Sequence, residues 1–171
     1  MEITTKFIIA TEQGRNLLAA LAKEIATEKF ASLLEPQQLE DYIAKKFDDK
    51  NLIAEMNSMS NQWLVVYKGD IPAGYAYITS NGKKPKNMEN VRMMRIADFG
   101  ILEKYNDTAV RQSLLEKCLT ISKSYDRLWI HEYKENPLIA FFESEGFVRE
   151  EEIGELEEFA LASVFLVKDK M

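Results

Sequence analysis

Three side chains in this 171-residue sequence have the type and setting to move a proton. Asp98 stands alone in an apolar run, Ile96-Ala97-Asp98-Phe99-Gly100, where a carboxylate is either on a solvated edge or functional. His131 alternates with Trp129 and Tyr133 along a strand, so those three share one face while Ile130 and Glu132 share the other. An unperturbed imidazole titrates near 6.5, which suits proton transfer at neutral pH. A lone strand histidine is more often a hydrogen-bonded core or surface residue, and Glu132 carries the same two readings. Tyr75 and Tyr77 share a further strand face and either line a pocket or pack the sheet. Nothing in the sequence supplies an activated nucleophile of the Ser-His or Cys-His kind. Cys118 falls at core spacing on its helix, and one cysteine with one histidine speaks against a structural zinc site, so no metal is expected.

The elements that must position these groups can be read along the chain. Phe7 to Ala10 reads as a first strand, and Thr11 as the N-cap of a helix with Leu17, Leu18, Leu21 and Ile25 on one face. Pro36 suits the first position of a second helix, Gln37 to Phe47, and a third runs from about Lys50 to Met56. Gln62–Tyr67 and Ala73–Thr79 read as strands joined through Gly69-Asp70, a hairpin signal with glycine first. A polar loop, 80–90, precedes a strand at Val91–Leu102. A helix then runs from Asp107 to about Lys123 with Val110, Leu114, Cys118 and Ile121 inward. A strand at Leu128–Tyr133, a short helix at Pro137–Glu145 and two strands, Phe147–Glu152 and Phe159–Val167 linked through Gly154, complete the chain. Strand–helix–strand crossovers require parallel pairing and hairpins require antiparallel pairing. The expected fold is therefore α/β, a mixed sheet with helices on both faces in a single domain over residues 1–171.

Composition narrows the function classes. Hydrophobic residues make up 46% and charged residues 29%, an ordinary globular balance. The formal net charge of −6 disfavours nucleic-acid binding, which depends on neutralising phosphates with Lys and Arg. No apolar run approaches the ~18–20 residues that span a membrane. The N-terminus has neither the basic start nor the apolar stretch of a signal peptide, so a cytoplasmic location is expected. Glutamates at 143, 145, 150, 151, 152, 155, 157 and 158 form an acidic stretch, more commonly a solvated helix end and hairpin than an attraction for a polyamine.

One order of elements carries more. A strand ends at Ile101-Leu102, a turn follows at Lys104-Tyr105-Asn106-Asp107, and a helix opens at Thr108-Ala109-Val110-Arg111. A second strand leads through Lys134-Glu135-Asn136 into a short helix that closes on Glu145-Gly146-Phe147. This order resembles the acetyl-CoA site of the GNAT superfamily of N-acetyltransferases, as do Trp63 to Ile78 around Gly74-Tyr75-Ala76. The helical stretch Leu39 to Met56 and the exit Val167-Lys168-Asp169-Lys170 look like the branch containing spermidine/spermine-type enzymes.

The resemblance implies a mostly antiparallel GNAT-like sheet, acetyl-CoA as cofactor and a small-molecule amine as acceptor. Dimers are frequent in the superfamily, so a homodimer is an expectation of the resemblance as well. It implies an oxyanion donor among the backbone N–H groups near Ile101 and Leu102. It also implies a pyrophosphate cradle over Asn106, Asp107, Thr108, Ala109, Val110 and Arg111, where a helix N-terminus offers N–H donors and a positive dipole end. The family's loop glycines are absent here, with Ala109 and Arg111 in their place. An N-capping Asp107 would compete with phosphate for the N–H of Ala109 or Val110. Asn136 matches the family asparagine. Phe142 stands where the family commonly has a cofactor-side tyrosine serving as general acid, and a phenyl ring donates no proton. Two functions remain open: an acetyltransferase acting by direct transfer, or a degenerate domain that binds CoA or another ligand as a sensor or interaction module.

Overall fold

The computed structural model describes residues 1–155 and 159–170. Its strands are β1 (Ile3–Phe7), β2 (Asn61–Lys68), β3 (Ile71–Thr79), β4 (Met93–Ile101), β5 (Arg127–Tyr133), β6 (Val148–Glu155) and β7 (Ala162–Asp169). Its helices are α1 (Glu12–Phe30), α2 (Pro36–Lys46), α3 (Asp49–Asn57), α4 (Thr108–Ile121) and α5 (Leu138–Ser144), with a 3-10 turn at Glu103–Tyr105. The strands form one seven-stranded sheet in the order β1-β2-β3-β4-β5-β7-β6. Among the registers described, β4 and β5 run parallel, while β1 with β2, β5 with β7 and β6 with β7 run antiparallel. This is the mixed α/β sheet that the order of elements implied, mostly antiparallel as the resemblance implied.

The residues fall into two compact units, Met1–Ile78 with Asp98–Cys118, and Thr79–Ala97 with Leu119–Met171. In the first, Thr11 caps α1 by accepting from the Gly14 N–H at 3.0 Å. The inward face of α1 repeats at helical spacing through Leu18, Leu21, Ala22, Ile25, Ala26 and Phe30, all buried. Full burial of one such leucine or phenylalanine is worth roughly 1.5–3 kcal/mol, so this stripe holds the helix in place. Asp48 caps α3 through the Asn51 N–H, and Pro36 opens α2. In β2, Leu64, Val65 and Val66 are fully buried in succession, which means that both faces of the strand are covered. β3 approaches β4 closely at Gly74, where a Cβ would come within 2.5 Å of the Gly100 carbonyl and 2.8 Å of Ile101 Cγ1.

In the second unit, Met93, Trp129, Phe165 and Val167 form a core cluster with Met88 from the polar loop. Helix α5 stops at Gly146, whose φ is +98°. The Phe147 N–H bonds the Phe142 carbonyl and the Gly146 N–H bonds that of Glu143, each at 3.1 Å, and the Phe142 and Phe147 rings meet at 5.6 Å. This is a Schellman stop with its hydrophobic contact, so the Gly-Phe pair is explained by helix termination.

Several boundaries differ from the sequence reading; the last strand, for one, is Ala162–Asp169 rather than Phe159–Val167. The first strand is Ile3–Phe7 rather than Phe7–Ala10, because register with Leu64–Lys68 of β2 selects the threonine-containing segment; beyond it the Ala10 carbonyl accepts from Arg15. Gly154 is not a connector but a paired residue of β6 opposite Ser163, after a register shift between Arg149 and Ile153. Glu157 and Glu158 of the acidic stretch lie outside the described residues. Glu143 of that stretch pairs with Arg149 at 3.1 Å.

Candidate functional site

In the first unit, β4 leads through the 3-10 turn into the N-terminus of α4. Leu102 opens the turn and its N–H is committed to the Ala73 carbonyl at 2.9 Å, which removes it as an oxyanion donor in this geometry. Ile101 is the last residue of β4 and is buried. Asn106, at φ −82° and ψ 67°, centres an inverse γ-turn in which the Asp107 N–H bonds the Tyr105 carbonyl at 2.9 Å. Asp107 then caps the helix: its Oδ1 accepts from the Val110 N–H at 3.0 Å, and its carbonyl accepts from Arg111 N–H at 3.1 Å. Thr108 and Ala109 are exposed at the start of the helix, and Val110 is fully buried.

Two cations reach Asp107 and its turn, one from the end of β2 and one from α4 itself. Lys68, at the end of β2, reaches Asp107 Oδ2 at 3.0 Å. Arg111 folds back over the turn, donating from Nη1 to Asn106 O at 3.0 Å and Oδ1 at 2.9 Å, and from Nη2 to Thr108 Oγ1 at 3.2 Å. The Val110 N–H and the Lys68 hydrogen bond hold the Asp107 carboxyl below its usual range. The loop therefore presents Lys68 and Arg111 against one carboxylate at a helix N-terminus, a setting that favours a bound anion.

Asp98 belongs to a different constellation in the same unit. Its carboxylate accepts from the Tyr75 hydroxyl and the Phe99 N–H, and lies 3.6 Å from Lys29 Nζ and 3.7 Å from Lys46 Nζ. Burial pushes this carboxyl up, but Lys46, Lys29, Tyr75 and the Phe99 N–H together outweigh it and hold the group below its ordinary value. A carboxyl so held is a weak proton acceptor. Tyr75 and Asp98, read separately in the sequence, are thus brought together. Tyr77 instead stacks on Trp63 at 4.2 Å and donates to Glu55 at 3.0 Å.

In the second unit, His131 stacks flat on Phe165 at 4.1 Å, and its Nε2 lies 2.6 Å from Ser163 Oγ. Ser163 is fully buried, so this Ser-His pair is closed to an acyl donor. Glu132 is buried on the opposite face, with its Oε1 accepting from the Tyr133 N–H at 3.2 Å. Asn136 is 5% exposed; its Oδ1 accepts from the Leu138 N–H at 2.9 Å, while its Nδ2 has no hydrogen-bond partner among the described residues. An orphaned buried amide donor is costly, which fits a residue that meets an acceptor on a ligand. Phe142 is entirely buried and packs between Phe141 and Phe147. Burial pushes the Cys118 thiol up, consistent with an inert core cysteine.

Lys29, Lys46, Lys68 and Ser163 went unremarked in the sequence. Lys29 and Lys46 lie in the last turns of α1 and α2, and nothing local marks them as partners of Asp98. Among the described residues, no cluster of three or more His, Cys, Asp and Glu could hold a metal ion, and no helix is long and apolar enough to cross a membrane.

No protein-family model matches the sequence. The structure is similar to that of the PaiA N-acetyltransferase of Thermoplasma acidophilum in complex with coenzyme A, with a TM-score of 0.80 and 14% identity over 99% of both chains. It is also similar to an acetyltransferase from Thermus thermophilus, with a TM-score of 0.67 and 17% identity over 97% of both chains. A third likeness is to the ribosomal-protein-S18-alanine N-acetyltransferase of Escherichia coli, at 0.64 and 12% identity over 99% of this chain and 94% of that one. These likenesses define the fold as that of the GNAT acetyltransferases.

Proposed function

We propose that this protein is an acetyl-CoA-dependent N-acetyltransferase that acts on a small-molecule amine by direct transfer. The observation that carries the reading is the fold, matched over 99% of the chain by an N-acetyltransferase in complex with coenzyme A. The chain's own residues are compatible with that ligand. Within the first unit, Lys68 and Arg111 give the α4 N-terminus a positive balance for phosphate; within the second, Asn136 Nδ2 has no hydrogen-bond partner among the described residues. Bound acetyl-CoA would supply the activated acetyl group. The amine must lose a proton to act as a nucleophile, and an ammonium pKa near 10 makes that step demanding at neutral pH. Asp98 is poorly suited to take the proton because its carboxyl is held down by lysines; solvent water is the acceptor in this reading. Phe142 offers no acid, so the thiol leaves as thiolate, a cost of about 2 kcal/mol given a thiol pKa near 8.5. The resemblance to spermidine/spermine-type enzymes puts polyamines first among acceptors, and a cytoplasmic location goes with such substrates.

A second reading, a domain that binds CoA without turnover, is favoured by the buried Phe142 and by the Asp107 carboxylate on the Val110 N–H. One experiment separates the two. Acetyl-CoA is titrated while melting temperature is followed, and free thiol release is then measured against a panel of amines and polyamines. Ligand at a hundred times its dissociation constant should add about 2.7 kcal/mol of stability. Stabilisation with thiol release supports the enzyme, and stabilisation without it supports the binding module. No shift at millimolar acetyl-CoA would sink both.

A further inference from the structure

A cavity of about 190 Å³ opens in the second unit beside the end of α4, with Leu119, Tyr125 and Leu128 among its lining residues. Its rim is cationic in a chain of net charge −6: Lys123, Lys168 and Lys170 line it, together with Arg127 and a single carboxylate, Asp169. That carboxylate is neutralised within the rim, since Arg127 Nε lies 2.7 Å from Asp169 Oδ1. The Lys168 ammonium donates to the Glu145 backbone carbonyl at 2.9 Å, a neutral acceptor. A fifth cation stands close, because the Arg92 guanidinium lies 5.1 Å from the centre of the Tyr125 ring. The C-terminal end of a helix carries only about half a negative charge, too little to balance these groups. Ser122 also lines the cavity; it is 7% exposed and its Oγ has no hydrogen-bond partner among the described residues.

We propose that this cavity is a binding site for a small organic anion with an apolar body, of the size and kind of an aromatic carboxylate. A cavity of about 150 Å³ accommodates benzene, so the volume here suits a ring bearing one short charged arm. The apolar wall takes the ring. The lysines take the carboxylate through charge-assisted hydrogen bonds, which are stronger than neutral ones. Nothing in the acetyltransferase reading uses this cavity: its residues are the far end of α4, the start of β5 and the end of β7, not the N-terminus of α4 or Asn136.

The test uses benzoate, its uncharged isostere benzamide, and inorganic phosphate as a bare anion. Binding to the full chain is followed by calorimetry and by amide chemical shifts. Benzoate is expected to bind saturably, at least tenfold more tightly than either benzamide or phosphate, with shifts concentrated at 119–128 and 168–170. The double variant Lys123→Gln, Lys170→Gln changes two exposed side chains, and it should weaken benzoate at least fivefold while leaving the melting temperature and acetyl-CoA binding unchanged. Equal affinity for benzoate and benzamide would overturn the proposal, as would phosphate binding as well as benzoate. Shifts centred elsewhere, or no saturation at tens of millimolar, would do the same.

Discussion

Lys68 Nζ lies 3.0 Å from Asp107 Oδ2, so the residue that caps α4 is neutralised by the end of a strand 39 positions earlier in the chain. The carboxylate that occupies the helix N-terminus is thereby prevented from repelling an anion at full strength. Two variants test this. Asp107→Asn keeps a capping side chain and removes the charge, so acetyl-CoA should bind several-fold more tightly with little change in melting temperature. Lys68→Ala should weaken binding, with the loss shrinking as salt is added. Unchanged dissociation constants for both variants in calorimetry would remove this loop from the cofactor site.

Arg111→Ala should weaken coenzyme A far more than the phosphate-free fragment pantetheine, because a charge-assisted contact to phosphate is worth roughly 1.5–3 kcal/mol. In the free protein this guanidinium clamps Asn106 and Thr108, so some loosening of the turn is also expected. Equal losses for the two ligands would assign Arg111 to holding the turn alone.

The Asp98 carboxyl gives a pH dependence whose sign is fixed. Its value in the folded protein is below the ordinary one, so its stabilising contribution is complete above about pH 4 and is lost as pH falls through the folded value. Denaturant unfolding should show a midpoint that drops below pH 4 in the native chain and drops less in Asp98→Asn. At pH 7 that variant should be less stable by up to about 3 kcal/mol, since it leaves Lys29 and Lys46 without their carboxylate. Parallel pH curves for the two proteins would show that Asp98 contributes nothing to acid sensitivity.

Phe142→Tyr should lower stability by roughly 1–3 kcal/mol, because its ring is fully buried and a new hydroxyl there must find a partner. Thermal melting without ligand measures the cost. A variant as stable as the native protein, with faster thiol release at low pH, would instead place the ring edge beside the leaving sulfur and mark a lost general acid.

Much of the architecture was legible because it rests on local rules. Thr11 caps α1, Pro36 opens α2, Gly69-Asp70 turns a hairpin with Gly69 at φ +62°, and Gly146-Phe147 stops α5. Each is a matter of a few consecutive residues and the backbone conformations they allow. Asp107 as a helix cap was legible for the same reason. The first strand was misplaced because its position depends on pairing with β2, and both candidate segments have strand-like composition.

The chemistry of the sites was decided by contacts that no short window contains. Asp98 stood out in the sequence as a lone carboxylate open to two readings; tertiary structure set Lys29, Lys46 and Tyr75 around it and turned a candidate base into a held-down anion. His131 stood open between a hydrogen-bonded core or surface residue and a group that moves a proton, and pairing of β5 with β7 gave it Phe165 and Ser163 as partners. Sequence determined where the backbone turns, caps and stops, since those costs are local. Only the fold determined which charges meet, because a charge's behaviour is set by the dielectric and the partners around it, and those arrive from elsewhere in the chain.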